Sequence, residues 1–253
     1  MPREARKKSR TGIYHIIMRG INKQTIFEEN EDKQRFLEIL QKYREISQYV
    51  LYSYCLMDNH IHLLLKEGEE ELSVAMKRIC SSYVYWFNWK YGRFGHLFQE
   101  RFKSENVENT VYFITVLRYI HQNPLKAGLV SNVFDSQWTS VNDYLHNSKN
   151  IDIDYGLQLF SKDRTKAIQL YIDYMQQQNN DQCLEVHYNI KKTDQEVRDY
   201  LYTFGIANSS QLQQLDKAHR DTILAKVKTL KGVSLRQLSR ITGISKSVIG
   251  RIR

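Results

Sequence analysis

The sequence predicts a sheet domain with flanking helices followed by a smaller all-α domain. Three observations predict it. Short stretches rich in β-branched and aromatic residues, 12–21 and 49–66, are interleaved with segments whose apolar residues recur at helical spacing. Beyond Trp138 the pattern is helical. A polar, low-complexity run at 176–181, QQQNND, has no apolar anchor and reads as a linker.

The elements follow in order. GIYHIIMRGI, residues 12–21, reads as a strand. Over 30–46, Phe36, Leu37, Leu40, Tyr43 and Ile46 form the apolar side of an amphipathic helix. YVLYSYCLMDNHIHLLLK, residues 49–66, is apolar but broken at Asp58-Asn59, so it makes two strands or one bent strand. A helix follows over 72–91 with Met76, Ile79, Tyr83, Trp86, Phe87 and Trp89, and Gly92 and Gly95 end it. HLFQERFKSENVEN is extended, and 110–122 is a helix limited by Pro124, which pushes the residue before it out of the α region. This alternation over the first ~145 residues suits an α/β or α+β sheet domain. Further on, Thr193 and Glu196 fit a capping box that starts a run of helices.

Composition narrows the function classes. The chain has 253 residues, 42% hydrophobic and 26% charged, with 2 Pro and 11 Gly, which excludes disordered, collagen-like and disulfide-scaffold proteins. Apolar runs are too short to cross a bilayer, and no apolar stretch follows the basic first ten residues as a secretory signal requires. Cys55, Cys80 and Cys183 are scattered, as expected in a reducing cytoplasm. The net charge of +9 is uneven: +4 in residues 1–10 and +8 in 226–253, leaving −3 between. Basic ends on a mildly acidic body point to a polyanionic partner such as nucleic acid, set against a merely solvated cationic surface.

His60-Ile61-His62 carries the most chemistry. On a strand both imidazoles share a face while Ile61 points to the other, and two close imidazoles make half a site for a divalent cation. H-x-H alone more often marks two surface histidines. Here a turn precedes the pair and Leu63-Leu64-Leu65 follows it, so the rings start a buried strand and need partners. Tyr119 and Asn123 lie one helical turn apart. Asn123 offers a carboxamide oxygen to a metal, and Tyr119 a phenol that becomes a nucleophile beside a cation or donor. With 17 Tyr in the chain, packing is the default role for any one of them, and only the histidines lift Tyr119 above it. His121 reads as a surface or internally satisfied histidine, His15 as a core hydrogen bond, and the stripe Tyr83, Trp86, Phe87 as core packing rather than base stacking.

IYHIIMRGINKQTIF, LMDNHIHLLLK, GHLFQERFKS and RYIHQNPLKAGLV, in this order, resemble the HUH single-strand transposases, in particular the REP-associated tyrosine transposase group, over about residues 10–145. The resemblance implies an α+β fold, a central antiparallel sheet with a ferredoxin-like or RRM-like core, for a catalytic domain at 1–145. It implies His60, His62 and Asn123 as ligands of Mg²⁺ or Mn²⁺, and Tyr119 as the single nucleophile. Tyr119 would attack a phosphate of single-stranded or hairpin DNA, leaving a 5′-phosphotyrosine link and a free 3′-hydroxyl. Cutting two ends with one nucleophile apiece calls for two copies, hence a homodimer. Arg101 and Lys103, placed like residues of the family motif, would meet DNA phosphates, against the alternative of a charged strand edge. A bacterial cytosol or nucleoid location follows, with no membrane partner.

A helical connector and linker, 146–184, leads to an all-α DNA-binding domain, 185–253. Its end, VSLRQLSRITGISKSVIGRIR (233–253), matches a helix-turn-helix: Leu235 and Leu238 in the first helix, Gly243 in the turn, Ser245 as cap, then Ile249 and Ile252. Arg236, Lys246, Ser247 and Arg251 would face duplex DNA. A small bundle for dimer contacts is the structural alternative. Two further functions compete: a nickase of the replication-initiator type with the same chemistry, and a domesticated DNA-binding regulator that has lost catalysis. Nothing here resembles a helicase or a second nucleophilic tyrosine, and all four site residues are intact.

Overall fold

The computed structural model describes residues 7–146, 150–184, 192–230 and 232–252. The basic residues Arg3, Arg6, Lys231 and Arg253 lie outside these. The chain divides into two compact units, Met1–Glu185 and Val186–Arg253.

The first unit is built on a four-stranded antiparallel sheet of order β2-β3-β1-β4, from β1 (Ile13–Arg19), β2 (Val50–Met57), β3 (His60–Lys66) and β4 (Lys103–Asn106). The apolar stretch at 49–66 is a hairpin whose turn is Asp58-Asn59, where the polar pair interrupts the pattern. The helices of this unit are α1 (Asn30–Ser47), α2 (Leu72–Lys90), α3 (Thr110–His121), the single turn α4 (Asn123–Lys126), α5 (Asp154–Gln158) and α6 (Arg164–Gln176). Pro124 in the first turn of α4 cannot donate an amide to α3, so the chain breaks at Gln122 and starts a new turn.

Side chains alternate across the sheet. Ile16, Ile61, Leu63 and Leu65 turn to one face and join a core with Phe36, Met76, Ile79 and Tyr83 of α1 and α2. The cross-strand pairs Ile17–His62, Arg19–His60 and His15–Leu64 turn to the other, where α3 packs. Ile151, Ile153, Leu157, Ala167, Tyr171 and Met175 belong to the same core, so α5 and α6 complete this unit. The polar run after α6 also folds back on it. Asp181 takes both Arg118 Nε and Nη2, at 2.7 and 2.8 Å, and Asn179 donates to Gln122.

The second unit holds α7 (Asp194–Tyr202), α8 (Ser209–Gln214), α9 (Lys217–Lys228), α10 (Leu235–Thr242) and α11 (Lys246–Arg251) around Val197, Leu212, Leu224, Val227, Leu238 and Ile249. The expected capping box forms: Glu196 N donates to Thr193 Oγ1 and Thr193 N to Glu196 Oε2. Gly243 ends α10 at φ +71, the left-handed conformation that favours glycine. Ser245 caps α11 by accepting from Val248 N.

Candidate active site

β3 begins at His60, so its first two outward-facing side chains on the α3 side are His60 and His62, with ring centroids 5.0 Å apart. The break between α3 and α4 delivers the other two predicted residues. Tyr119, in the last turn of α3, sets its ring edge-on to His62 at 5.6 Å and to His15 at 5.8 Å. Asn123, first residue of α4, lies between the histidines, with Oδ1 3.3 Å from His60 Nε2 and Nδ2 3.3 Å from His62 Nε2. The four residues that sequence reading singled out therefore meet in one place.

Hydrogen bonding sets the tautomers. Asn59 Oδ1 only accepts, so His60 donates to it through Nδ1 at 2.7 Å, leaving a lone pair on Nε2. That lone pair faces Asn123 Oδ1, a second acceptor. His62 Nε2 accepts from Asn123, so His62 Nδ1 carries the proton and donates to His15 Nε2 at 3.0 Å. Two lone pairs, on His60 Nε2 and Asn123 Oδ1, thus face each other without a proton, while the His62 Nε2 lone pair takes the Asn123 amide proton. The 3.3 Å between His60 Nε2 and Asn123 Oδ1 suits neighbouring ligands on a small divalent cation with bonds of about 2.1 Å, and His62 Nε2 can join them once the amide gives up its hydrogen bond to that ring. The residues thus fit a metal, with a carboxamide as third donor; among the described residues no three His, Cys, Asp or Glu side chains group for one.

Burial keeps these rings neutral, as ligation requires. It lowers the His60 pKa to about 4, opposed by the nearby Asn123 carboxamide oxygen, which would accept from a protonated ring, and reinforced by the Arg19 charge. It pushes His62 well below the ordinary value, with help from His60 and His15, and takes His15 to about 3.

His15 and Arg19 are the residues that sequence reading undervalued. His15 does make a core hydrogen bond, but its partner is His62, whose ring it orients. Its Nδ1 is buried without a partner among the described residues. Arg19, 8% exposed, sits opposite His60 across the β1–β3 ladder. Alternation along 13–19 already places both on one face. His121 is satisfied inside the fold, as read: its ring bonds Ser53, Ser140 and Tyr171.

Of the expected DNA contacts, Lys103 pairs with Ile17, which pairs with His62, so Lys103 is exposed on the site's face two strands from the histidine. Arg101 is exposed in the loop before β4. In the second unit Arg236, Lys246, Ser247 and Arg251 are all exposed.

An antiparallel sheet that shows two histidines to a helix-borne tyrosine and asparagine is the arrangement expected from the resemblance to the HUH tyrosine transposases. Residues 8–123 match the family of IS200-like transposases. The fold is shared with a solved structure described as a REP-associated tyrosine transposase bound to a REP hairpin. The likeness has a TM-score of 0.50 and 19% identity, and covers 61% of this chain and 90% of that one. No curated protein matches the chain. No helix among the described residues is long and apolar enough to cross a membrane.

Proposed function

We propose that the chain is a metal-dependent transposase that cleaves and rejoins single-stranded DNA at hairpin or repeat-associated sites through a 5′-phosphotyrosine intermediate. The observation that carries this is the Tyr119 ring set against His62, with Asn123 between His62 and His60. The DNA class draws support from the hairpin in the structurally similar protein.

The residues divide the work. His60, His62 and Asn123 would hold Mg²⁺ or Mn²⁺, and His15 and Asn59 keep the two rings in the tautomer that ligation needs. Bound there, the cation supplies positive charge to a phosphate oxygen and to the departing 3′ oxygen. Tyr119 Oη gives up its proton and bonds phosphorus as the bond to the 3′ oxygen breaks. That oxygen takes a proton and leaves as a free 3′-hydroxyl. A second 3′-hydroxyl can reverse the step and join strands, because the phosphotyrosine preserves the diester. Lys103, on the same face, would hold a neighbouring phosphate, as would Arg101.

The native protein, incubated with labelled hairpin single strands and Mg²⁺ or Mn²⁺, should give an adduct stable to SDS. Tyr119→Phe should abolish it, and persistence of the adduct would assign the nucleophile elsewhere. The C-terminal unit is proposed to bind duplex DNA through α10 and α11. Its removal must spare Asn179 and Asp181, which brace α3, so the cut belongs after residue 185. The shortened chain should lose about one unit of salt slope for each phosphate contact removed. An unchanged slope would exclude the helix-turn-helix from DNA contact.

A further inference from the structure

The loop after α2 holds an aromatic ring out to solvent in a fixed setting. Phe94 is 97% exposed. A single exposed aromatic is ordinary, but the backbone beneath this one is closed on both sides by one residue. The Asn88 carbonyl accepts from Arg93 N at 2.8 Å, and the Asn88 side chain donates to Gly95 O at 3.0 Å. Gly92 and Gly95 stand at φ +58 and +92, with nothing within 4 Å of a Cβ at either, so they serve the backbone path alone. Arg93 turns inward, donating to Gln24 Oε1 at 3.0 Å and lying over the Phe87 ring. Phe94 is the apex.

The loop is also bolted to the end of the sheet that carries the histidines. Gln24 Nε2 and Ile21 N both donate to Leu97 O at 2.9 Å, and Gln99 N donates to Arg19 O at 2.9 Å. Arg19 pairs with His60, and Gly20 N donates to Asn59 O in the turn that precedes it. Between Phe94 and Lys103 the exposed side chains include His96 and Arg101, with Glu100 the only acid, while Leu97 and Phe102 are buried.

We propose that Phe94 is a stacking platform for an unpaired nucleobase of the DNA strand beside the cleaved phosphate. The inference rests on the DNA-cleaving reading above. An aromatic face next to exposed cations matches the two halves of a single strand, its bases and its phosphates. Because the loop is ordered by its own hydrogen bonds, little freedom is lost when a base stacks on it.

The test uses the full chain in EDTA, so that binding is read without cleavage. The probe is a DNA hairpin with short thymine flanks, 2-aminopurine replacing each flank base in turn. The native protein should quench the fluorophore at one or two flank positions. F94A should lose that quench and weaken binding about tenfold or more, F94W should keep both, and the melting temperature should not move. Binding and quench unchanged in F94A, while the native protein still forms its Tyr119 adduct, would overturn the platform and leave the enzyme reading intact. Equal weakening on a blunt duplex without flanks would overturn it too, as would a change in self-association with DNA binding intact, which assigns the ring to contacts between copies. Failure of the native chain to bind the hairpin or form an adduct would remove the enzyme reading, and the platform with it.

Discussion

Two buried histidine clusters lie on the α3 side of this sheet, and they answer the same cost in opposite ways. Around His121 every demand is met by protein. Tyr171 OH donates to Val141 O and accepts from His121 Nδ1, while Ser53 and Ser140 hydroxyls serve Nε2. Around His60 and His62 the demand is left open: His60 Nε2 and Asn123 Oδ1 face each other with no proton between them, and His15 Nδ1 has no partner among the described residues. Burial lowers the pKa in both clusters, to about 3 for His121 and about 4 for His60, so a depressed pKa does not tell them apart. The direction of the lone pairs does. A closed network is structural, whereas facing acceptors that lack a proton between them would be satisfied by the proposed cation.

The largest separation between the clusters is expected from His62→Ala. Cleavage of hairpin DNA should fall about a thousandfold or more, equivalent to about 4 kcal/mol of lost transition-state stabilisation, while hairpin binding persists. Divalent metal should raise the melting temperature of the native protein and not of this variant, since a ligand stabilises only the fold that binds it. Full cleavage in the variant, or in EDTA, would remove the metal role and make the two clusters alike.

A subtler divide is expected from His15→Ala. It removes no ligand but frees His62 Nδ1, so metal affinity should drop about 10- to 100-fold. Saturating Mn²⁺ should then restore most of the cleavage rate, which it cannot do for His62→Ala. If His15→Ala titrates metal like the native chain, His15 is only packing, and the boundary of the reactive cluster lies at His62.

What was legible in the sequence follows the range of the interaction. His60 and His62 share a face because strands alternate, and Tyr119 and Asn123 approach because helices turn. Both are rules of spacing within a few residues. The hairpin break at Asp58-Asn59, the capping box at Thr193 and the left-handed Gly243 are equally local, and the structure shows all three. His15 could not be ranked in this way. Its importance depends on the β1–β3 register, which sets Ile17 against His62 and His15 against Leu64; a slip of one residue would turn it to the apolar face. The 176–181 run misleads for a related reason. Its polarity reads as a linker, yet its partners Arg118 and Gln122 lie over fifty residues away, on α3, which carries Tyr119, and at its C-cap.

The smallest effect on chemistry, and a clear effect on stability, is expected from His121→Ala. The truncation leaves the hydroxyls of Ser53, Ser140 and Tyr171 around a void with both ring nitrogens gone, a loss of about 2–4 kcal/mol of folding stability. Among the described residues none of these groups hydrogen-bonds to His60, His62 or Asn123. Below its melting transition the variant should cleave within about threefold of the native rate per folded molecule, and metal should stabilise it by the same increment. Chemical denaturation read beside single-turnover cleavage separates the two quantities. A His121 variant that folds normally but no longer cleaves would mean that His121, two residues from Tyr119, reaches the reaction through α3, and the division between a closed cluster and an open one would have to be redrawn around that helix.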